Sequence, residues 1–371
     1  MAKLILVDGY SLMFRAFHAL PLLNNSAGVY TNAVHGFLSM LFKVMGEEQC
    51  EYCAVAFDLH APTFRHLDYP EYKAGRAPTP EELKPQVDLI QDLLEKMHIP
   101  RLGLEGYEAD DILGTASARA AAMGVDCLII TGDRDAFQLA GDKVSILYTK
   151  RGISDTILVT PAYIQERYGV TPLQMIDVKG LMGDNSDNIP GVPGVGEKTA
   201  LKLIQQYGSL EEVLNRADSE QKGKLRERLM QNKDQALYSK WLATIVRDAP
   251  LDFDLEACRL HDLQDAMPML HDLELKTLAG RLSQLTGCES AVKREDQADE
   301  PDWKEILEFS DAGALHQWAK SQSPEAMALY IGSDLSLAFS DGQRALVRLG
   351  GDLLSPGLQE SEALEALQPL L

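Results

Sequence analysis

The sequence predicts an α/β fold that opens with a mostly parallel sheet and continues as a helical region. Three observations carry this. The apolar runs LILVD, AVAFD and CLIITGD end in acid at Asp8, Asp58 and Asp133, as buried parallel strands do on reaching solvent. Helical patterns separate them, the alternation expected of strands joined by crossover helices. From about residue 160, Thr-Pro pairs open successive helical stretches, TPAYIQERYG and TPLQMIDVKGLMG.

Taken in order, MAKLILVDG has one lysine and a short apolar run that meets Asp8 at once. That is a buried strand rather than a signal peptide, and the expected location is cytoplasmic. Cys50 and Cys53 form CEYC at the entry of the strand Ala54–Asp58, with no second Cys or His pair at zinc spacing. The five cysteines make a disulfide framework improbable. PEYKAGRAP reads as a polar, basic loop. The helix near residues 80–97 has Thr79 as N-cap, Pro80 in its first turn and Glu82 three residues after the cap. EADDILGTASARAAAMG (108–124) starts with acids, which a helix N-terminus favours, and becomes an Ala-rich helix.

CESAVKREDQADEPD (288–302) turns polar and acidic and reads as a linker. Beyond it, DWKEILEFSDAGALHQWAK reads as helical. MALYIGSDLSLAFSDGQRALVRL reads as two or three strands, with turns at Gly332–Ser333 and Asp341–Gly342. The expected domains are 1–165 (α/β core), 166–290 (helical subdomain), 291–302 (linker) and 303–371 (a small or partial α/β domain).

At 371 residues the chain can bury two or three cores. Its 45% hydrophobic and 25% charged content is that of a globular protein, without an apolar run long enough to span a bilayer. The net charge is −21, of which −9 falls in residues 291–371. Such a balance argues against general polyanion affinity, yet the local distribution decides a site.

Nine acids stand at strand ends or helix starts: Asp8, Asp58, Glu108, Asp110, Asp111, Asp133, Asp135, Asp184 and Asp187. In open α/β sheets such positions converge on the carboxyl edge. Taken singly, each acid is as well explained as a cap. Together, crowded carboxylates cannot all ionise near neutrality without cations. Oxygen ligands with no His or Cys beside them select Mg²⁺ or Mn²⁺, and two such ions can clamp a phosphodiester. His18, His35 and His66 lie nearby, but this chemistry needs no imidazole.

Five stretches carry a resemblance: LILVDGYSLMFRAFHALP, AVAFDLHAPTFRHLDYPEYKAGR, YEADDILGT, TGDRDAFQL and LMGDNSDNIPGVPGVGEKTA. In this order they resemble the 5′-nuclease domain of bacterial DNA polymerase I, a branch of the flap endonuclease family, over about residues 1–290. The resemblance implies a PIN/flap-endonuclease-like parallel-sheet core, a helical arch over about residues 68–100 and a helix-hairpin-helix DNA-binding subdomain. It implies that all nine acids serve metal sites. A first ion is assigned mainly to Asp8, Asp58, Glu108 and Asp110. A second is assigned to Asp110, Asp133, Asp135 and one or both of Asp184 and Asp187, with Asp111 acting through water.

The resemblance also locates DNA contacts. IPGVPGVGEKTALKLI is similar to the family's hairpin, with Gly191, Gly194 and Gly196 permitting close phosphate approach, a helix N-terminus behind them and Lys198 adding charge. A K⁺ ion held by hairpin carbonyls is implied there. Backbone contacts of this kind read no sequence. In EYKAGR, Lys73 and Arg76 match residues that neutralise charge at the scissile phosphate, and Tyr72 one that stacks on a base. Arg15 and Arg65 match phosphate contacts.

The implied activity is a Mg²⁺-dependent 5′-3′ exonuclease and flap endonuclease. Its implied substrates are DNA with a 5′ flap, nick or recessed 5′ end and RNA primer–DNA hybrids. DNA ligase is the implied downstream partner, and the protein is expected to act as a monomer without a membrane. Two rivals remain. A haloacid-dehalogenase-like phosphatase needs a second Asp two residues after Asp8, where Tyr10 stands. A non-catalytic DNA-binding module would have lost metal ligands, and none is lost. The tail, 303–371, takes the position of a 3′-5′ exonuclease-like, RNase H-like domain. An active version would carry acids where Tyr330 and Gly332 stand, so proofreading is expected to be absent. No polymerase palm or fingers follow, so no DNA synthesis is expected.

Overall fold

The structure is a computed structural model that describes residues 2–76, 78–151, 155–287, 306–322, 327–331, 335–339, 343–347, 349, 358 and 360–370. The chain forms two compact units, Met1–Ser290 and Ala291–Leu371.

In the first unit the strands are β1 (Lys3–Asp8), β2 (Tyr52–Ala56), β3 (Arg101–Leu102), β4 (Asp126–Thr131), β5 (Val144–Arg151) and β6 (Asp155–Val159). They make one sheet in the order β3-β2-β1-β4-β5-β6, parallel except for β6 at the edge. The three acid-ended runs are the three central strands. Because side chains alternate along a strand, β1 sends Leu4 and Leu6 into one core and Ile5 and Val7 into another. Each fully buried Leu or Ile contributes about 1.5–3 kcal/mol. Burial on both faces explains why these strands read as unbroken apolar runs.

The helices α1 (Gly9–Ala19), α2 (Asn32–Glu48), α3 (Phe64–Asp68), α4 (Lys84–Lys96) and α5 (Ala109–Ala122) connect these strands. Helix α4 starts at Lys84 rather than at Thr79, because residues 80–83 form a tighter turn in which Leu83 and Lys84 N–H bond to Pro80 O. Among the described residues of the expected arch, then, only α4 and the end of the short α3 are helical. The segment 69–76 between them is a series of turns.

The helical part comprises α6 (Pro161–Tyr168), α7 (Gln174–Met182), α8 (Glu197–Tyr207), α9 (Leu210–Glu220), α10 (Gly223–Gln231), α11 (Lys233–Ala243), α12 (Met267–Asp272) and α13 (Lys276–Thr286). Packing does not break at residue 165. Leu270, Leu278 and Leu282 return to the core cluster that holds Ile5, Val55 and Phe37, so α12 and α13 complete the α/β layer.

In the second unit β7 (Ile306–Phe309), β8 (Met327–Ile331), β9 (Leu335–Phe339) and β10 (Arg344–Val347) form a sheet in the order β7-β10-β9-β8. Helices α14 (Ala312–Ser321) and α15 (Glu360–Leu367) accompany it. Of the two or three strands expected in MALYIGSDLSLAFSDGQRALVRL, three are present: β8, β9 and β10. ILEF, read as the start of a helix, is instead strand β7, because it pairs in parallel with β10. The expected linker and the turns at Gly332–Ser333 and Asp341–Gly342 lie outside the described residues.

Candidate metal-dependent nuclease site

Topology brings eight of the nine acids to one edge. Asp8 ends β1 and caps α1, its Oδ1 accepting from Ser11 N–H at 3.1 Å and its Oδ2 from the Thr131 hydroxyl at 2.8 Å. Asp58 follows β2 and accepts from Ala109 N–H at 2.8 Å. Glu108 is the N-cap of α5, and Asp110 lies in its first turn. Asp133 follows β4, and its Oδ1 accepts from Asp135 N–H at 2.9 Å. Asp184 and Asp187 come from the loop after α7.

Burial and like charge act on this group. Burial, aided by Asp58 and Asp133, pushes Asp8 up to about 7 despite its two hydrogen bonds. Asp110 is raised well above the usual range by burial, then by Asp133 and Asp8. Burial and Asp133 raise Asp135 to about 7, against the pull of Lys179.

Protein cations neutralise the flanks. Lys73 Nζ lies 2.5 Å from Glu108 and 3.9 Å from Asp187, and Arg76 Nη2 lies 2.6 Å from Asp187. Lys73 has φ +57°, an uncommon backbone conformation for a residue with a side chain. In that conformation its N–H reaches Asp187 O at 3.0 Å. On the other flank Lys179 bonds both Asp135 and Asp184, at 2.5 Å from the latter. Although half-burial opposes it, Lys179 holds Asp184 below the usual carboxylate range. Lys179 was missed in the sequence. Its only signal is a lone lysine among the apolar residues of QMIDVKGLM, five before Asp184.

Several sequence assignments change. Arg65 is 2% exposed and does not present itself to a phosphate. Its guanidinium forks onto both oxygens of Asp111, at 2.7 and 2.9 Å, and donates to Glu108, Leu242 O and Thr244 O. Asp111 is fully buried and also accepts from Glu108 N–H and Val246 N–H, so its oxygens face the protein. Tyr72 is 4% exposed, its hydroxyl donating to Glu108 at 3.0 Å, so its ring is not offered to a base. Asp187, grouped with Asp184 in the sequence, instead shares Lys73 with Glu108. Arg15 is half-buried, donating to Lys150 O and Gly132 O, and thus braces the turn before Asp133.

The glycine loop joins α7 to α8. Gly191 is buried at φ +59°, and a Cβ there would lie 2.2 Å from Gly183 N, so this glycine shapes the loop. Gly194, at φ +74°, and Gly196, the N-cap of α8, face solvent, as does Lys198. The first N–H groups of a helix have no partner within it, and here they open beside the carboxylate edge.

Among the described residues, no group of three or more His, Cys, Asp or Glu side chains is arranged, as it stands, to hold a metal ion. Lysine and arginine cations sit on Glu108, Asp135, Asp184 and Asp187 instead. The donor set still fits a hard cation. It is all carboxylate, and its central members, Asp8 and Asp110, resist ionisation because they are buried and crowded by like charge, which a cation would relieve.

Residues 3–169 match the N-terminal resolvase-like domain model of the 5′-3′ exonucleases, and residues 170–266 match the C-terminal SAM-fold model of the same family. Residues 3–266 belong to the 5′-3′ exonuclease family. The chain is 48% identical to DNA polymerase I of Bacillus subtilis (strain 168) over 298 residues, 80% of this chain and 33% of that protein. DNA polymerase I of Mycobacterium tuberculosis (strain H37Rv) is 42% identical over 283 residues, 75% of this chain and 31% of that protein. The chain thus spans about a third of the length of these relatives. In fold it is similar to the bacteriophage T5 D15 flap endonuclease, solved as a pseudo-enzyme-product complex with DNA and metal ions. That match has a TM-score of 0.55 and 23% identity over 77% of this chain and 99% of that one. The catalytic core of Rad2, solved with a DNA substrate, matches with a TM-score of 0.51 and 18% identity over 76% and 91%. The exonuclease region is a nuclease by family, and its α/β fold with a helical second half is the one expected. No helix among the described residues is long and apolar enough to cross a membrane.

Proposed function

We propose that the exonuclease region is a structure-specific, divalent-metal phosphodiesterase that cuts near the 5′ end of a strand at a flap, nick or recessed end. The observation that carries it is the convergence of eight carboxylates beside Lys73, Arg76 and Lys179 at the carboxyl edge of the sheet. Asp8, Asp58, Glu108 and Asp110 would hold one divalent cation, and Asp110, Asp133, Asp135 and Asp184 a second. Two bound Mg²⁺ or Mn²⁺ ions would supply a water of lowered pKa and neutralise the phosphodiester.

The chain's own residues do the rest. Lys73 and Arg76, which pair with Glu108 and Asp187 here, would turn to the scissile phosphate and stabilise the charge it develops. Lys179 does the same beside Asp135 and Asp184. Arg65 and Asp111 hold Glu108 in place. The start of α8, with Gly194, Gly196 and Lys198, receives a phosphate of the duplex, and a K⁺ ion at the hairpin carbonyls would add charge there. Products are a 5′-phosphate and a 3′-hydroxyl. RNA primer removal and gap repair in the bacterial cytoplasm, with ligase sealing the nick, follow as uses. The second unit we assign to an inactive 3′-5′ exonuclease-like domain. Its mixed sheet and the absence of an acid at Tyr330 in β8 support this reading.

A 5′-labelled flap duplex tests the assignment, with wild type and Asp133→Ala compared in Mg²⁺ and in EDTA. Cleavage at the flap junction by wild type in Mg²⁺ alone, with DNA binding retained by Asp133→Ala, is the expected result. Binding without cleavage by wild type in both Mg²⁺ and Mn²⁺ would make the region a non-catalytic DNA-binding module.

A further inference from the structure

Beside the carboxylate edge lies an aromatic face that the proposed chemistry does not use. On α3, Phe64 and Leu67 share a side by their spacing of three. On α11, Leu237 and Trp241 share a side by their spacing of four. The two helices meet there, with the Phe64 and Trp241 rings 5.8 Å apart. Tyr238 stacks on Trp241 with centroids 5.7 Å apart and planes 15° from parallel, and Tyr107 meets Phe64 edge-on at 5.7 Å. The face is open: Leu67 is 75%, Trp241 42% and Leu237 40% exposed. A soluble chain rarely groups such residues without an occupant.

Continuity with the site says what the occupant is. Tyr238 and Tyr69 pack on the small core of Tyr72, Ile189, Leu242 and Ala243. Tyr72 in turn bonds Glu108, and Ile189 follows the Asp184–Asp187 loop. Tyr107 immediately precedes Glu108, and α3 is the segment that joins Asp58 to Lys73 and Arg76. A strand held at the carboxylates would therefore meet this face within a few nucleotides. Aromatic faces take unpaired bases by stacking, without regard to sequence. We propose that Trp241, with Phe64 and Tyr238, is a stacking platform for the unpaired bases of the 5′ single strand. This deepens the nuclease reading above and rests on it. It also moves base stacking from Tyr72, which is buried, to Trp241, which is exposed.

The chain has three tryptophans, so Trp303→Phe with Trp318→Phe leaves Trp241 as the sole tryptophan, excited beyond the tyrosine absorption band. In Ca²⁺, replacing Mg²⁺ to slow cleavage, this protein is titrated with a flap duplex whose 5′ flap is thymidine or abasic. Binding is followed separately through a dye on the duplex end. At saturation, thymidine flaps should quench Trp241 emission and abasic flaps should not. Trp241→Leu should weaken binding of the thymidine flap about 10-fold, as expected of one lost stack, while Trp241→Phe retains most of the affinity. Equal quenching by both flaps, or full affinity in Trp241→Leu, overturns the platform. So does an emission change with protein concentration alone, which would mark the face as a contact between copies. Cleavage of the same thymidine flap in Mg²⁺ separates the two claims. If it occurs while Trp241 ignores the bases, only the platform falls. If neither cleavage nor duplex binding occurs, the nuclease reading falls as well.

Discussion

Arg65 and Asp111 look in the sequence like two more members of the site, and the structure makes them its foundation. A guanidinium with 2% exposure depends on its partners, and removing one leaves the other charged and buried. Arg65→Ala should therefore cost about 3–5 kcal/mol in urea unfolding. Arg65→Lys should recover only part of this, because an ammonium cannot fork onto both oxygens of Asp111. A loss below about 1 kcal/mol for Arg65→Ala would return Arg65 to the surface and to phosphate contact. Lys73 is the opposite case, since its charge sits on a carboxylate that metal would claim. Lys73→Ala should lower kcat/KM on a flap by about 10²–10³-fold, the usual loss of one charge-stabilising donor, and in Mg²⁺, which would take over the charge on Glu108, it should cost less urea stability than Arg65→Ala. Residue type and motif were enough to find Lys73. They could not separate it from Arg65, because burial depends on α11 and Thr244, nearly 180 residues downstream.

The sheet edge and the glycine loop each make a prediction of their own. Asp8 and Asp135 are raised to about 7 in the folded chain from 3.8. Between those values the folded state holds more protons than the unfolded one, so stability falls as pH rises. Depressed carboxylates such as Asp184 exert their effect below pH 4 and do not mask the trend. In EDTA, Tm should thus fall from pH 5 to pH 7.5, and Mg²⁺ should reverse most of the fall by binding the ionised form. A flat or rising profile in EDTA, followed by scanning calorimetry, would mean that the acids are not crowded. In the loop, Gly191→Ala drives a Cβ into backbone at Gly183, whereas Gly194→Ala meets only the flexible end of Arg228. Both require positive φ, but Gly191→Ala should lose more stability and Gly194→Ala mainly duplex affinity, read by polarisation. The three central strands and α5 were legible because apolar runs and caps are local signals. The two-residue β3, and the start of α4 at Lys84 rather than Thr79, were not. Pairing with β2 defines the one and the Pro80 turn the other.

The chain divides in sequence order into two compact units, and the eight carboxylates belong to the first. A chain ending at Gly287 should keep flap cleavage within about 2-fold, and a larger loss would show that residues beyond it serve the reaction. Charge is also organised over the whole chain. On the proposed reading a net −21 chain would hold a polyanion because eight of its acids are gathered where metal would offset them, while a glycine loop and a helix start would offer N–H groups to phosphate. The sequence carries that arrangement as ordered motifs, from Asp8 to Lys198. It does not show that α12 and α13 return to the first core, since their apolar spacing suits any helix face. The claim beneath the whole account is that two cations work together at these carboxylates. Single-turnover cleavage of a 5′ flap, measured against Mg²⁺ concentration below saturation, tests it most directly. The account predicts a log–log slope that approaches about two and falls in Asp133→Ala along with the rate. A slope of one throughout, or cleavage that persists in EDTA, would contradict it.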